Sequence, residues 1–244
     1  MNILRVALMW GSLVIAAGTS CARDGGSSST PASTSLNTLT PAESAAGWRL
    51  LFDGHTTNGW RNFRRDSISG AWQVVDGGLT RAGPGAGDII TREKFKNFEL
   101  TLEWQIASGG NSGIFYRASE DDDAVYWTAP EMQVLDDASH PDAQSPLTAA
   151  GANYEIDSAL AGVVRPAGQW NQVRIVVNGS HVEHWLNGVK VVEYELGSPA
   201  WAAKVKASKF APHVHYGRNA EGYVGLQDHG DWVSYRNIKI RVLP

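Results

Sequence analysis

The sequence predicts an all-β protein, a jelly-roll β-sandwich with one short helix near 199–210. Three observations carry that reading. Phe98 to Ile106 alternates strictly, with Leu100, Leu102, Trp104 and Ile106 facing one way and Glu99, Thr101, Glu103 and Gln105 the other. That is the period of a strand with one buried face. Trp170 to Glu195 reads as a three-strand meander: Val173, Ile175 and Val177 alternate, Asn178-Gly179 turns, His181 to Leu186 returns, Asn187-Gly188 turns again, and Val189 to Glu195 follows. Asn-Gly pairs tolerate the positive φ of tight hairpins. Helical character is confined to Pro199 to Phe210, which is rich in Ala and Lys, has Pro near its start and is stopped by Pro212. Trp201, Val205 and Ser208 form its stripe. Gly222 to Gln227 and Val233 to Val242 supply two closing strands, and no solenoid or propeller period is present. Many short strands with one helix suit two packed sheets.

Composition narrows the functions open to such a domain. The 244-residue chain carries a net charge of −4, which leaves no electrostatic footprint for nucleic acid. Tryptophan is the outlier, with ten in all and nine beyond the N-terminal segment. Trp faces stack on pyranose rings, but large β proteins also use Trp in their cores, and about half are expected there.

The N-terminus reads as an export signal. One positive charge in Met1 to Arg5 precedes an apolar run from Val6 to Ala17, and Gly18-Thr19-Ser20 leads into Cys21, the sole cysteine. A lone cysteine directly after such a run suggests a bacterial lipoprotein, cleaved after residue 20 and lipidated on Cys21. Ordinary signal cleavage with a soluble product is the alternative, and Gly18 stands where a larger aliphatic residue is usual. Residues 21–45, rich in Ser, Thr, Gly, Pro and Ala, read as a flexible tether. The folded domain is expected over 46–244, lipid-anchored at a membrane of the bacterial envelope and facing the periplasm. With Cys21 lipidated, it has no disulfide.

The ordered motifs resemble a known family. Leu51-Phe-Asp-Gly followed by Gly59-Trp60, Trp72-Gln-Val-Val-Asp-Gly-Gly-Leu79, Asn111-Ser-Gly-Ile-Phe-Tyr-Arg117 and Glu131-Met-Gln-Val-Leu-Asp136 come first. Gly168-Gln-Trp-Asn171, Trp185-Leu-Asn-Gly188, Gly225-Leu-Gln-Asp-His-Gly230 and Arg236-Asn-Ile238 follow in order. Together they are similar to the 3-keto-disaccharide hydrolase family over nearly all of Ala46 to Pro244. The resemblance implies a concanavalin A-like jelly roll whose concave sheet holds the ligand. It also implies a substrate already oxidised at C3, and hence an upstream sugar 3-oxidase. Asn153 departs from the pattern, where an aliphatic residue is usual.

Polar residues pointing off strands are the candidate site. Period two puts Glu131 and Gln133 on one face of their strand and Met132 and Val134 on the other. Two adjacent polar residues facing inward on a central strand are costly to bury without purpose. Gln227 and His229 share a face of the Gly225–Gly230 segment, with Leu226 packing inward. Glu131, His229, Arg117 and Glu103 are the catalytic candidates. Gln133, Gln227, Asn111, Trp127, Asp136 and Tyr154 are the substrate-contacting ones. Bland readings stand beside several of these: Arg117 in a structural ion pair, Glu103 solvated, His229 in a turn, and Asp136 in the turn after its strand unless a bulge intervenes. Asp53-Gly54 and Asp76-Gly77 read as turn chemistry, and Asp121-Asp-Asp123 as a solvated loop. His181, His184, His213 and His215 raise the question of a metal, and His213-x-His215 offers two ligands from an extended face. No third ligand sits at a characteristic spacing, so neither a metal nor another cofactor is expected.

A ketone at C3 acidifies the C2 proton. The implied chemistry is therefore C2 deprotonation by His229 or Glu131, β-elimination of the C1 substituent and addition of water, with Arg117 and Gln133 at the enolate. Two other readings remain. A direct glycosidase of laminarinase type needs two carboxylates flanking the bond on a Glu-x-Asp-x-x-Glu strand, whereas this strand reads Glu131-x-Gln133-x-x-Asp136. A non-catalytic carbohydrate-binding module would display exposed Trp, for which Trp127 and Trp232 are candidates, without perturbed acids or bases.

Overall fold

A computed structural model of the chain describes residues 35–244. The export signal and Cys21 lie outside the described residues. Of the segment expected to be a flexible tether, the described part, residues 35–45, packs onto the domain. Asn37 exchanges hydrogen bonds with Asn237 (2.7 and 2.8 Å) and donates to the Gly77 carbonyl at 2.8 Å. Helix α1 (Pro41–Ala45) then starts on a capping box, in which Thr40 and Glu43 satisfy each other's backbone N–H groups. Glu43 also pairs with Lys239 at 2.7 Å. Thr-x-x-Glu is a helix-start signal, and it anchors this end of the domain.

The strands are β1 (Trp48–Leu50), β2 (Trp60–Asn62), β3 (Trp72–Val75), β4 (Gly78–Arg81), β5 (Ile89–Phe95), β6 (Phe98–Ile106), β7 (Asn111–Ala118), β8 (Glu131–Leu135), β9 (Asn171–Asn178), β10 (His181–Leu186), β11 (Val189–Glu195), β12 (Gly222–Leu226) and β13 (Val233–Val242). They form two antiparallel sheets. One is ordered β11-β10-β9-β6-β13-β4-β3, with β1 on the far half of β13; the other is ordered β2-β5-β12-β7-β8. Neighbours distant in sequence, such as β6 beside β13 and β5 beside β12, give the crossing connections of a jelly roll.

Alternation works as expected on β6, where Phe98, Leu100, Leu102, Trp104 and Ile106 are buried and Thr101, Glu103 and Gln105 are half-buried. Their apolar face meets Ile114, Tyr116, Met132, Val134, Val224 and Leu226 of the second sheet in one core. Truncating such a side chain to Ala costs about 2–5 kcal/mol. Four of the nine tryptophans, Trp60, Trp72, Trp104 and Trp201, are buried in this core.

The two hairpin turns differ. Asn187 and Gly188 both take positive φ (48° and 83°), the I′ pattern. At the other turn, Asn178 pairs with His181 as the last residue of β9, so the turn is Gly179-Ser180, with only Gly179 at positive φ (63°). Helix α2 (Pro199–Lys206) starts on the Ser198 hydroxyl, which accepts the Trp201 N–H at 3.1 Å. It ends four residues before Phe210. Ser208 bonds the Val205 carbonyl and the Phe210 N–H instead, and the chain turns so that Phe210 stacks on Tyr216 at 4.0 Å.

Candidate active site

Because Met132 and Val134 enter the core, Glu131 and Gln133 project from the opposite, outer face of the five-stranded sheet. A cavity of about 370 Å³ lies there. β8 supplies Glu131 and Gln133, and β7 supplies Asn111. The turn before β5 supplies Asp88, and the segment after β12 supplies Gln227, Asp228 and His229. A 3-10 turn (Val125–Trp127) adds Tyr126 and Trp127, the loop beyond β8 adds Tyr154, and the segment after α2 adds Lys209 and Phe210.

Backbone bonds fix these groups. Gln133 N–H donates to Ala152 O (3.0 Å), Gly151 N–H to Gln133 O (2.9 Å) and Tyr154 N–H to Glu131 O (3.0 Å), so the loop carrying Tyr154 lies along β8. Asn153 is buried in that loop and donates to the Asp157 carboxylate at 2.9 Å. The departure at this position therefore braces the loop without entering the cavity. Gly113 is required where it stands, since a Cβ there would overlap the Glu131 carboxyl. Trp127 is held by parallel stacking on His213, with ring centroids 3.7 Å apart.

Three amide oxygens at the cavity, Asn111 Oδ1, Gln133 Oε1 and Gln227 Oε1, are buried without a hydrogen-bond partner. The orientation of Gln133 is settled by its other end: its amide nitrogen donates to the Thr148 carbonyl at 3.2 Å, which can only accept. Gln133 therefore presents an acceptor to the cavity, and the Asn111 and Gln227 amides add polar groups without a protein partner for their oxygens.

Its carboxyls are driven apart. Burial pushes Glu131 up to about 8, with the Lys209 charge only partly opposing and Asp88 reinforcing the rise. Burial likewise pushes Asp88 up to about 6, against a hydrogen bond from the Asp228 N–H (2.9 Å). Burial also opposes ionisation of Asp228, but the Gly87 N–H (2.7 Å) and Arg81 (2.6 Å) outweigh it and hold its pKa below the usual range. Near neutral pH the site thus holds a protonated Glu131 beside ionised Asp88 and Asp228, a division suited to acid and base roles.

The chain matches the family described as the 3-keto-alpha-glucoside-1,2-lyase-like domain over residues 47–241. It belongs to that family. A Bacteroides thetaiotaomicron relative named 3-keto-disaccharide hydrolase is 38% identical over 230 residues, covering 82% of this chain and 79% of the relative. A solved Parabacteroides distasonis structure, provisionally described as a glycosyl hydrolase, is 33% identical with a TM-score of 0.81, covering 86% of this chain and 100% of its own. A second structure from that organism, with the same description, is 27% identical with a TM-score of 0.60, covering 81% of this chain and 84% of its own.

The 3-keto-alpha-glucoside-1,2-lyase-like domain brings together seven of the sequence candidates: Glu131, Gln133, Asn111, Trp127, Tyr154, Gln227 and His229. Three others are corrected. Arg117 takes φ +52° at the end of β7, which turns its guanidinium away to the carbonyls of Lys96 (2.9 Å) and Gly179 (2.7 Å). Glu103 sits on the other sheet, paired with Arg236 at 2.7 Å. Asp136 lies in the turn after β8 and accepts the Gly109 and Ala138 N–H groups (2.8 and 3.2 Å). Trp232 is exposed and does not line the cavity.

The histidines raised as metal ligands have separate partners. His184 is buried between the Tyr116 hydroxyl and the Gly151 carbonyl, and burial lowers it to about 4. His215 faces Asp122. His181, Glu183 and Glu193 form the group with metal-compatible spacing among the described residues. Lys190 already bridges those two glutamates at 3.4 and 2.6 Å.

Asp88, Asp228, Lys209, Tyr126 and Phe210 were missed. Period two puts Gln227 and His229 on one face, but β12 ends at Leu226, so Asp228 is free to line the cavity too. The sequence pattern places Lys209 inside the helix, which stops at Lys206. Asp88 directly follows the Gly83–Gly87 turn, and that glycine-rich approach to a strand was the available signal.

Proposed function

We propose that this protein cleaves the glycosidic bond of 3-keto-glycosides by C2 deprotonation, elimination and water addition. Family membership and the named relatives support the coarser reading, a glycoside-hydrolase-like enzyme. The observation that carries the finer one is a single cavity lined by Glu131, raised to about 8 by burial, by Asp88, raised to about 6, and by unsatisfied side-chain amides. Pyranose hydroxyls both donate and accept, and so suit either end of such amides.

In this reading Asp88 takes the C2 proton and the electron pair moves onto the C3 carbonyl as an enolate. Lys209 is the cavity's lysine cation and stabilises that oxygen, a role closed to Arg117, whose guanidinium is committed to the Lys96 and Gly179 carbonyls. Gln133 presents an acceptor and so holds a hydroxyl instead of the enolate. The enolate reforms the C3 ketone, C1=C2 forms as C1–O breaks, and Glu131 gives its proton to the departing oxygen. Water then adds at C1, Glu131 takes its proton, and Asp88 returns a proton to C2. His229 lines the same cavity and is the alternative base.

Two features weigh against the other readings. A glycosidase of laminarinase type would use Asp136 of the same strand segment as its second carboxylate, but Asp136 caps backbone N–H groups outside the cavity. A pure binding module has no need of a carboxyl raised to about 8. Such a substrate requires a separate enzyme that oxidises C3. We also propose export and lipidation at Cys21, to be read by alkyne-fatty-acid labelling that a Cys21→Ser variant should lose.

The test is incubation with 3-keto-trehalose and an aryl 3-keto-glucoside beside the unoxidised parents. Sugar release from the oxidised compounds alone is expected, with a rate rising through about pH 6 and falling above about pH 8. Release from the parents would favour direct hydrolysis. Binding without release, flat with pH, would favour a module.

A further inference from the structure

A second hollow, of about 420 Å³, lies by the β2 edge of the five-stranded sheet and is lined by Arg61, Arg64, Arg65, Arg92, Asp66 and Glu120. Arg61 and Arg92 belong to the paired strands β2 and β5. Trp60 and Asn62 are buried, so Arg61 between them projects outward, from the sheet that carries the catalytic cavity. Four guanidiniums thus line the hollow with two carboxylates, in a chain whose net charge is −4, and Lys94 of β5 lies over the Tyr223 ring at 5.1 Å.

The local anions are largely committed. Glu120 accepts both Arg61 nitrogens (2.7 and 2.9 Å) and the Arg64 N–H (2.6 Å). Arg61 is further held over Tyr223 at 5.0 Å. The Arg64 and Arg65 guanidiniums are exposed and have no carboxylate partner among the described residues. Gathering guanidiniums without counter-ions is unfavourable unless a ligand supplies the charge, and their planar forks suit carboxylate, sulfate or phosphate oxygens.

The hollow is also coupled to the catalytic cavity. Phe63, next to Arg64, donates its N–H to the Asp88 carbonyl at 2.9 Å, and Asn62 bonds the Gly87 and Asp88 carbonyls at 3.2 Å. Phe63, Tyr126 and Tyr223 pack on one outer cluster around Ile90 and Phe115, and Tyr126 is itself a cavity wall. The aromatic floor therefore runs from the catalytic carboxyls to the arginines.

We propose that the arginine hollow is an anion subsite that takes a carboxylate or sulfate carried on a glycan whose sugar ring extends toward the catalytic cavity. It is read by binding alone, so it stands or falls apart from the cleavage chemistry. The experiment is calorimetric titration of the full chain with a heparin-derived tetrasaccharide, a galacturonate tetramer, cellotetraose and inorganic sulfate, at low and at 300 mM salt. At least tenfold tighter binding of one anionic oligosaccharide than of cellotetraose is expected, weakening with salt and lost in Arg64→Glu/Arg65→Glu. An Arg92→Gln variant, at an exposed strand position, should weaken it independently. Turnover of a neutral 3-keto-disaccharide should not change in these variants. Equal binding of neutral and anionic oligosaccharides, or undiminished affinity in the Arg64/Arg65 variant with its melting temperature intact, would overturn the proposal. So would arginine-dependent binding of inorganic sulfate with no gain from the attached sugar.

Discussion

Glu99 and Glu131 are strand glutamates with little exposed surface, 7% and 5%, and the two sheets shift their pKa values in opposite directions. On the eight-stranded sheet Glu99 meets Arg174 and Arg241. Burial works against its ionisation, but the two guanidiniums prevail and its pKa lies below the usual range. On the five-stranded sheet Glu131 has only the through-space charge of Lys209 to oppose burial, and its pKa rises to about 8. Two guanidiniums outweigh burial at Glu99, whereas Glu131 is set deeper among protein atoms with no cation among the described residues paired to its carboxyl, so burial prevails there. The outer face of the eight-stranded sheet is closed in this sense, with Glu103 on Arg236 and Glu183 on Lys190. Among the described residues, the outer face of the five-stranded sheet leaves Glu131 without an ion-pair partner and three amide oxygens without a hydrogen bond.

The contrast is sharpest in matched variants. Glu131→Gln should lower kcat by about 10²–10⁴ without loss of fold, because it removes a proton donor and leaves the volume unchanged. Glu99→Gln should leave kcat alone and cost about 1–2 kcal/mol, since it weakens two charge-assisted hydrogen bonds at half-exposed arginines. Turnover and urea unfolding on the same preparations check both, and equal kinetic damage in the two would erase the distinction. Lys209→Met is the next largest effect. It should lower kcat by about 10²–10³ with little change in KM, because a developing enolate needs the charge more than the bound ketone does. A rise in KM alone would make Lys209 a binding residue.

The sheets were legible where period two held for a whole strand. Leu100 to Ile106 and Val173 to Val177 declared their buried face, and the same rule paired Glu131 with Gln133. It failed where strands ended. At Arg117 a left-handed backbone turned a face residue to backbone carbonyls, and beyond Leu226 the alternation no longer applied, which hid Asp228. Asp88 and Lys209 join the cavity from segments 121 residues apart in the chain, and no local period links such positions. What could be read from their neighbours was only the geometry of a glycine-rich turn and the stop of a helix. Polar side chains on a strand look alike in sequence, so the partners that separate Glu99 from Glu131 appear only when the sheets are assembled.

Those partners should leave a smaller mark on stability against pH, of opposite sign for the two glutamates. The folded pKa of Glu131 is raised, so between the unfolded value and about 8 the folded state holds a proton that the unfolded state has lost. Its contribution to stability is complete below the unfolded pKa and falls as pH rises through that window, with a limiting slope of about 1.4 kcal/mol per pH unit. Asp88 adds to the same fall up to about pH 6. The folded pKa of Glu99 is lowered, so its contribution is present above the unfolded value and is lost as pH falls through the folded one. Urea unfolding from pH 3 to 9 should therefore show Glu131→Gln flattening the alkaline side, with a gain in stability near pH 8, and Glu99→Gln flattening the acid side. If Glu131→Gln reproduces the parent slope between pH 6 and 8, the carboxyl is ionised in the folded protein and Glu131 is not the proton donor.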